Sequence, residues 1–318
     1  MEHRFLAMGT EISIKLICTA RDRNTARAAI DQAVHLLHDF GHDGWAWGSG
    51  VVAEINQALA AGEIAKIPIT LRPLFKRAWQ IRQETDGLYE PRIAQLVRLW
   101  GFDDVARLRE SPPERNEIDT LLSALKAAPA YDGGDRYGPA PGAGWDFGGI
   151  GKGFIIDQVL ELLRARGFSD AVVDAGGNLA VRGGHVARPW RVGIRDPRPA
   201  TAIPRLLVSL DVSDEAVITH GDDQRFFEHA GRRYAHILCP FTGAPVQGLR
   251  SITVVHPDAT RADAAGAAVF VAGKEGWRKL AKKLALAQVI AIYDEGMVHA
   301  PPALARRLQL KGGDKIMS

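Results

Sequence analysis

The sequence predicts an α+β fold built from mixed, largely antiparallel sheets with flanking helices. Strand-like and helical segments alternate along the chain, and the strands outnumber what one parallel βαβ sheet would need. A hairpin is indicated where two strand-like segments, 224–228 and 232–238, flank the turn at 229–231. The 318 residues contain neither an exact repeat nor a clear linker. Residues 1–318 are therefore predicted to form a single domain, or two intimately packed subdomains.

The first half of the chain predicts one strand and two helices. Residues 10–16 alternate polar and apolar side chains, which is typical of a half-buried strand. A helix follows, for which Asn24 or Thr25 is the predicted N-cap. A glycine-rich loop is predicted over 41–50, and a further amphipathic helix covers 71–84.

The second half predicts a helix that ends near Gly167, the predicted C-cap, and then a buried strand at 171–175. Another strand is predicted at 251–256. An Ala-rich helix beginning at Asp263 follows it, and a last strand covers 289–293. Strands thus recur to the end of the chain between helices, as expected for an α+β fold.

Composition excludes several classes of protein. Apolar residues make up 46% and charged residues 24%, which is ordinary for a globular enzyme. The net charge of +3 is small and the basic residues are dispersed, which argues against a nucleic-acid partner. Cys18 and Cys239 are too few for a disulfide framework. No apolar run approaches the ~20 residues of a membrane span, and no signal peptide is evident. The predicted location is cytoplasmic as written, or periplasmic if a native export signal has been removed.

The segment 145–153 (WDFGGIGKG) places four glycines directly before a helical pattern. Such a helix start is predicted to leave backbone amides free, and these bind anions because the helix dipole is positive there. A Walker A loop is excluded because Asp146 and Gly153 stand where Gly and Ser or Thr are needed. The Rossmann spacing G-x-G-x-x-G is also absent. The segment therefore predicts a phosphate or pyrophosphate site of another kind.

Two downstream residues are candidates for chemistry. His236 lies at a strand end before a Pro–Thr-Gly–Pro turn. With an ordinary pKa of about 6.5 it suits general acid–base catalysis, although a structural histidine would read the same way. Asp263, at the predicted head of the Ala-rich helix, is either a charge that stabilises the helix dipole or a metal ligand.

Seven segments resemble, in the same order, the motifs of the FAD:protein FMN transferases of the ApbE type. They are 8–10; 47–56; 85–91 with 99–102 (T-D-G-x-x-D-P and W-G-F); 146–153 with Asp157 (D-x-G-G-I-A-K-G-x-x-x-D); 176–178 (G-G-[DN]); 219–222 (T-S-G-[DS]); and 236–243 (H-I-x-D-P-x-T-G). The resemblance implies an ApbE-like, T-fold-related architecture. It also implies Mg²⁺-dependent cleavage of the FAD pyrophosphate, transfer of FMN to a Ser or Thr hydroxyl of an acceptor protein carrying a flavinylation motif, and release of AMP.

The resemblance also implies roles for individual residues. His236 is predicted to deprotonate the acceptor hydroxyl. The cation is predicted to lie at Gly149, through a backbone carbonyl, and at Asp263 and Ala267. Residues predicted to bind FAD are Met8, Trp47, Leu88, Tyr89, Glu90, Asp146, Lys152 and Leu238. Trp45 and Trp100 are predicted to be packing residues.

Four departures from the family pattern bear on the mechanism. Cys239 and Glu90 stand where Asp is usual, His220 where Ser is usual, and Ala267 where the metal motif D-A-x-x-T has Thr. Loss of that hydroxyl would weaken a Mg²⁺ site without abolishing it, because phosphates and water supply most ligands. It would equally fit a catalytically degenerate FAD-binding paralogue that acts as a flavin carrier or regulatory protein. Retention of His236, Asp263 and Lys152 favours the enzyme.

Overall fold

A nine-stranded sheet forms the frame of the molecule in the computed structural model, which describes residues 1–186, 188–197, 206–310 and 316–317. The strands are β1 (Glu2–Ala7), β2 (Thr10–Leu16), β3 (Ala65–Lys66), β4 (Arg136–Tyr137), β5 (Ala171–Ala175), β6 (Asn178–Arg182), β7 (Trp190–Arg195), β8 (Leu206–Val212), β9 (Ala216–Gly221), β10 (Phe226–His229), β11 (Arg232–Ala235), β12 (Leu249–His256), β13 (Val289–Tyr293), β14 (Val298–His299), β15 (Leu308–Leu310) and β16 (Ile316–Met317).

The large sheet has the order β1-β2-β5-β6-β9-β12-β13-β14-β16. Every neighbouring pair in it is antiparallel except β14 and β16 at one edge. Smaller sheets are formed by β15-β8-β7, by the predicted hairpin β10-β11 and by β3-β4. The α+β prediction with largely antiparallel sheets is therefore confirmed.

Helices α1 (Arg23–Asp43), α6 (Gly151–Ala165) and α7 (Ala259–Val271) pack on one face of this sheet. The short helix α9 (Pro302–Ala305) contributes Leu304 to the core on the other face. The remaining helices are α2 (Val51–Ala60), α3 (Arg72–Glu84), α4 (Ala94–Leu99), α5 (Arg115–Ala127) and α8 (Gly273–Lys283), with a 3₁₀ turn at Val105–Arg107. Within the described ranges, none of these helices is long and apolar enough to cross a membrane.

Alternation along the strands creates two hydrophobic cores, one on each face of the sheet. On β13, Val289 and Ala291 belong to the larger core, which contains the buried faces of α1, α6 and α7. Ile290 and Ile292 belong to the smaller core, which is shared with β7 and β8. Successive side chains of a strand point to opposite faces, so a strand covered on both sides reads as a continuous apolar run.

Several predicted boundaries were wrong. Helix α6 has Arg166, and not Gly167, as its C-cap. The N-cap of α1 is Asp22, whose carbonyl accepts the Ala26 amide at 2.8 Å, and not Asn24 or Thr25. The same helix continues to Asp43 and shortens the predicted glycine-rich loop. Helix α7 begins at Ala259, so Asp263 lies in its second turn and is not the charge at its head.

A carboxylate in the second turn of each of α6 and α7 caps the first turn of the other helix. Asp157 of α6 accepts hydrogen bonds from the α7 amides of Ala259 and Thr260, at 3.2 and 2.8 Å. In return, Asp263 of α7 accepts the amide of Gly153 in α6 at 2.8 Å. Each carboxylate thus satisfies amides that a helix start leaves without an intrahelical partner.

This crossing requires a glycine at position 153. A Cβ atom there would lie 2.2 Å from the carbonyl oxygen of Ala259. We therefore expect Gly153→Ala to reduce the free energy of unfolding by about 3 kcal/mol, measured by urea denaturation, because it forces the two helices apart. Gly151→Ala is the control, since its Cβ would meet only ordinary contact with Phe40 at 3.5 Å. Equal losses in the two variants would contradict this account of the crossing.

Candidate functional site

A cleft of about 530 Å³ opens where α6 begins, beside the ends of α1 and β9 and the segment that follows β11. Its wall includes every residue predicted from the sequence to act in the site: Met8, Trp47, Leu88, Tyr89, Glu90, Asp146, Gly149, Lys152, His236, Leu238, Asp263 and Ala267. Residues separated by more than two hundred positions therefore meet at one place.

The start of α6 has fewer free amides than the sequence predicted. Four amides are engaged inside the protein. Gly148 donates to Asp146 Oδ1 at 2.8 Å, Ile150 and Gly151 donate to the Phe147 carbonyl at 3.1 and 2.7 Å, and Gly153 donates to Asp263 Oδ2 at 2.8 Å. The amides of Gly149 and Lys152 have no hydrogen-bond partner in the described part of the chain. An anion would therefore meet two amides and the Lys152 ammonium group, rather than a full ring of amides.

Asp263 presents one unpaired carboxylate oxygen to the cleft. Its side chain is 1% exposed, and Oδ1 has no hydrogen-bond partner among the described residues. Burial raises the pKa of this carboxyl to about 6, although the charge of Lys152 opposes the change. A buried carboxylate with a free oxygen is stabilised by a nearby cation, so this position suits a metal ligand.

His236 lies directly after β11, and its backbone amide donates to the carbonyl of Arg225 at 3.0 Å. Its buried Nδ1 has no hydrogen-bond partner within the described ranges. Burial, and then the charge of Arg225, lower the pKa of the imidazole to about 3. The side chain is therefore neutral at physiological pH, as a general base must be.

Aromatic and aliphatic side chains form the apolar part of the wall. Tyr89 is buried, and burial raises the pKa of its hydroxyl well above the ordinary value. Trp47 is half-buried, with the Arg98 guanidinium 5.3 Å from its ring centre. Trp45, predicted to be a packing residue, also lines the cleft. Trp100 is a packing residue as predicted, because it is buried and donates Nε1 to the carbonyl of Gly243 at 2.7 Å.

Glu90 is not available to bind a ligand in the way the sequence predicted. Its oxygens accept hydrogen bonds from Arg82 Nε at 2.5 Å, from the Arg92 amide at 3.1 Å, and from Arg92 Nε and Nη2 at 2.8 and 2.9 Å. Although burial opposes it, these two arginines hold the pKa of Glu90 below its usual value. Glu90 therefore fixes two guanidinium groups at the cleft wall, and its acceptor positions are filled.

We expect Glu90→Gln to lower the free energy of unfolding by about 3 kcal/mol, because it leaves the buried Arg92 charge without its partner. Both side chains of this pair are only 3% exposed. Thermal and urea unfolding measure the loss. The control is Glu161→Gln, which breaks the exposed pair with Arg164 and should leave stability unchanged. A neutral result for Glu90→Gln would contradict the proposed structural role.

Comparison with known proteins decides the family. The family model described as "ApbE family" matches residues 8–291. The chain belongs to the ApbE family. It is 34% identical over 280 residues to the FAD:protein FMN transferase of Rhodobacter capsulatus, covering 86% of this chain and 52% of that relative. It thus spans about half the length of that protein. A relative of the same name from Treponema pallidum is 33% identical over 264 residues, covering 76% of this chain and 70% of its own length.

Solved ApbE structures share the whole fold. The ApbE protein of Thermotoga maritima is 29% identical, with a TM-score of 0.84 over 96% of this chain and 98% of its own. The flavinyl transferase ApbE of Pseudomonas stutzeri is 25% identical, with a TM-score of 0.82 over 96% of each chain. The predicted ApbE-like architecture is confirmed by these matches.

The cation position implied by the ApbE resemblance is only partly equipped with ligands. Ala267 faces Gly149, since a Cβ on that glycine would lie 3.4 Å from the Ala267 Cβ, but its methyl group cannot bind a cation. The described residues hold no group of three or more His, Cys, Asp or Glu side chains arranged for a metal. Asp263 therefore fits a divalent cation, whereas the side chain at position 267 does not.

Three cleft residues carry basic groups that the sequence reasoning did not include in the site: His220, Arg195 and Arg225. The predicted hairpin held a signal for one of them. Because Phe226 pairs with Ala235, the next pair outward places Arg225 opposite His236. The only sequence signal for His220 is that it stands where the family pattern has Ser. No local sequence pattern indicates Arg195, because this residue at the end of β7 reaches the cleft only through the packing of distant segments.

Proposed function

We propose that this ApbE chain is an FAD:protein FMN transferase that moves FMN from FAD to a Ser or Thr hydroxyl of an acceptor protein and releases AMP. One observation carries the proposal: the neutral imidazole of His236 and the carboxylate of Asp263 open onto the same cleft, and neither His236 Nδ1 nor Asp263 Oδ1 has a hydrogen-bond partner among the described residues. The names of the relatives support the same activity. A silent flavin carrier would need neither group, and no observation favours that alternative.

The cleft has the properties of a site for a large ligand with rings and phosphates. Its volume of about 530 Å³ lies within the range of small-molecule sites. Met8, Trp47 and Tyr89 provide apolar surface for flat rings, and Leu88 and Leu238 extend it. The Lys152 ammonium and the two free amides at the start of α6 would hold the pyrophosphate, which is anionic.

In the proposed reaction, the oxygen of the acceptor hydroxyl attacks the phosphorus of the FMN half of FAD. The bond from that phosphorus to the bridging oxygen breaks, and AMP leaves with this oxygen. The hydroxyl proton passes to His236, which is neutral at physiological pH. The negative charge of a pyrophosphate bound in the cleft would raise the pKa of the imidazole from about 3 toward the range that suits a general base. Lys152 stays beside the phosphates and offsets their charge. A divalent cation held by Asp263, which the family resemblance alone identifies as Mg²⁺, would neutralise the charge that develops on the pyrophosphate oxygens.

The test is turnover of FAD by purified protein, with Mg²⁺ or Mn²⁺ and with EDTA, in the presence of a peptide carrying a Ser or Thr acceptor motif. AMP is measured by chromatography and flavin on the peptide by mass spectrometry. We expect metal-dependent AMP release and a flavinylated peptide. AMP without peptide modification would reduce the activity to FAD hydrolysis. Tight FAD binding with no AMP under any metal would overturn the proposed function.

A further inference from the structure

Two buried polar atoms of the cleft face one another without forming a hydrogen bond. His220 Nε2 lies 3.5 Å from Asp263 Oδ1, and neither atom has a hydrogen-bond partner in the part of the chain that the structure describes. Their side chains are 10% and 1% exposed. Leaving two such atoms unpaired inside a protein is costly, so a third group is expected between them.

We propose that His220 Nε2 and Asp263 Oδ1 are ligands of the same divalent cation. Two donors bound to one ion at ~2.1 Å lie about 3.0–3.4 Å apart, depending on the coordination angle. The observed separation needs only a small adjustment to reach that range. The proposal rests on the proposed function, because FAD phosphates and water would complete the coordination.

The surroundings of His220 are shaped for an imidazole. His220 lies on β9, opposite Ile252 of β12, so the sheet fixes its backbone. On α7, which packs against β9, a Cβ at Gly266 would lie 3.0 Å from His220 Cδ2 and 3.1 Å from Nε2. Glycine at 266 therefore provides the room that the ring needs. Next to it, Ala267 removes the hydroxyl that would otherwise supply an oxygen ligand.

An imidazole ligand changes which cation the site prefers. Mg²⁺ takes oxygen ligands and keeps several waters, whereas imidazole nitrogen suits first-row transition metals. The exchange of an oxygen at 267 for a nitrogen at 220 would thus favour ions such as Mn²⁺, Fe²⁺ or Zn²⁺ over Mg²⁺. The nitrogen would compensate for the missing hydroxyl, and the site would remain functional.

The experiment uses Mn²⁺ with the full chain, stripped by EDTA, alone and with AMP. Free Mn²⁺ is counted by room-temperature electron paramagnetic resonance, and pulsed measurements on bound Mn²⁺ report coupling to ¹⁴N of an imidazole. We expect wild-type protein to bind Mn²⁺ with a clear ¹⁴N coupling. His220→Ser should lose the coupling and weaken binding at least about tenfold. His236→Ala, which removes the other imidazole of the cleft, should keep the coupling.

Several outcomes would overturn the proposal: no bound Mn²⁺ in either condition, no ¹⁴N coupling in wild-type protein, or coupling unchanged in His220→Ser. An absent ¹⁴N coupling in wild-type protein overturns the proposal without any variant. If His220→Ser folds poorly, retention of the coupling in His236→Ala still assigns the nitrogen to an imidazole other than His236. The double variant His220→Ser/Ala267→Thr should bind metal through oxygen only and move its preference toward Mg²⁺. ¹⁴N-coupled Mn²⁺ without AMP release would support His220 as a metal ligand and overturn the proposed function. AMP release without ¹⁴N coupling would support the proposed function and overturn His220 as a metal ligand.

Discussion

Replacing His236 by alanine should lower FMN transfer by about 10²- to 10⁴-fold while FAD still binds. The imidazole is the neutral, unpaired group expected to take the hydroxyl proton, and nearby Arg225 and Lys152 cannot replace it because both carry positive charge. Single-turnover transfer to the acceptor peptide measures the rate, and flavin fluorescence measures binding. The control is His35→Ala, an exposed histidine on α1 that should keep full activity. Unchanged transfer in His236→Ala would remove this residue from the mechanism.

The same histidine has an effect on stability that depends on pH. Its pKa is about 3 in the folded protein and about 6.5 in the unfolded chain. As pH falls below 6.5, the unfolded chain binds the proton first, so the folded state loses stability until pH approaches 3. The contribution of the neutral His236 to stability is fully present above about pH 6.5, the pKa of the unfolded chain. Urea unfolding of His236→Ala between pH 7 and pH 4 should therefore show a smaller loss than wild type.

The second large effect is expected for Asp263→Asn, which removes a charge but keeps the side chain's size. The amide oxygen can still accept the hydrogen bond from Gly153, so the start of α6 should stay formed. The cation, however, loses its anionic ligand. We expect metal-dependent AMP release to fall by about 10²- to 10³-fold, which corresponds to several kcal/mol of lost charge stabilisation.

Asp157→Asn is the matched control for that variant. Asp157 caps α7 as Asp263 caps α6, but it is not part of the cleft wall. AMP release over a range of Mg²⁺ and Mn²⁺ concentrations should stay near wild type in Asp157→Asn, with thermal unfolding recorded for both. Equal losses of activity in the two variants would assign the effect to helix capping rather than to the cation.

The features that the sequence predicted best are those that depend only on residues close together in the chain. Strands β2, β5 and β13 have the predicted bounds, because a strand that faces a core leaves a local signature of apolar spacing. Helix α5 was not predicted although it carries a local signal, the reciprocal capping box of Glu114 and Glu117. Glutamate is not one of the residues that usually mark an N-cap, so this capping box is evident in the structure but weak as a signal in the sequence.

Other features could not be predicted locally because their causes lie far away in the chain. The Gly153 amide is occupied by Asp263, which lies 110 residues further on. Nothing in the glycine-rich segment itself indicates that partner. The facing of His220 and Asp263 similarly depends on how α7 packs over β9. The residues predicted from motif order line one cleft, whereas the hydrogen bonding of each polar group could be read only from the packed structure.

The mutual capping of α6 and α7 has a consequence for how the site opens to solvent. Unwinding the first two turns of either helix releases the carboxylate that caps the other, so the two ends should open together rather than independently. Lys152 and Asp263 would therefore become ordered, and lose order, in one cooperative event. Amide hydrogen exchange at Gly153 and Thr260 should then report the same opening free energy. Phosphate bound at the start of α6 would disfavour this shared opening. It would thereby keep Asp263, the cation ligand on α7, in place.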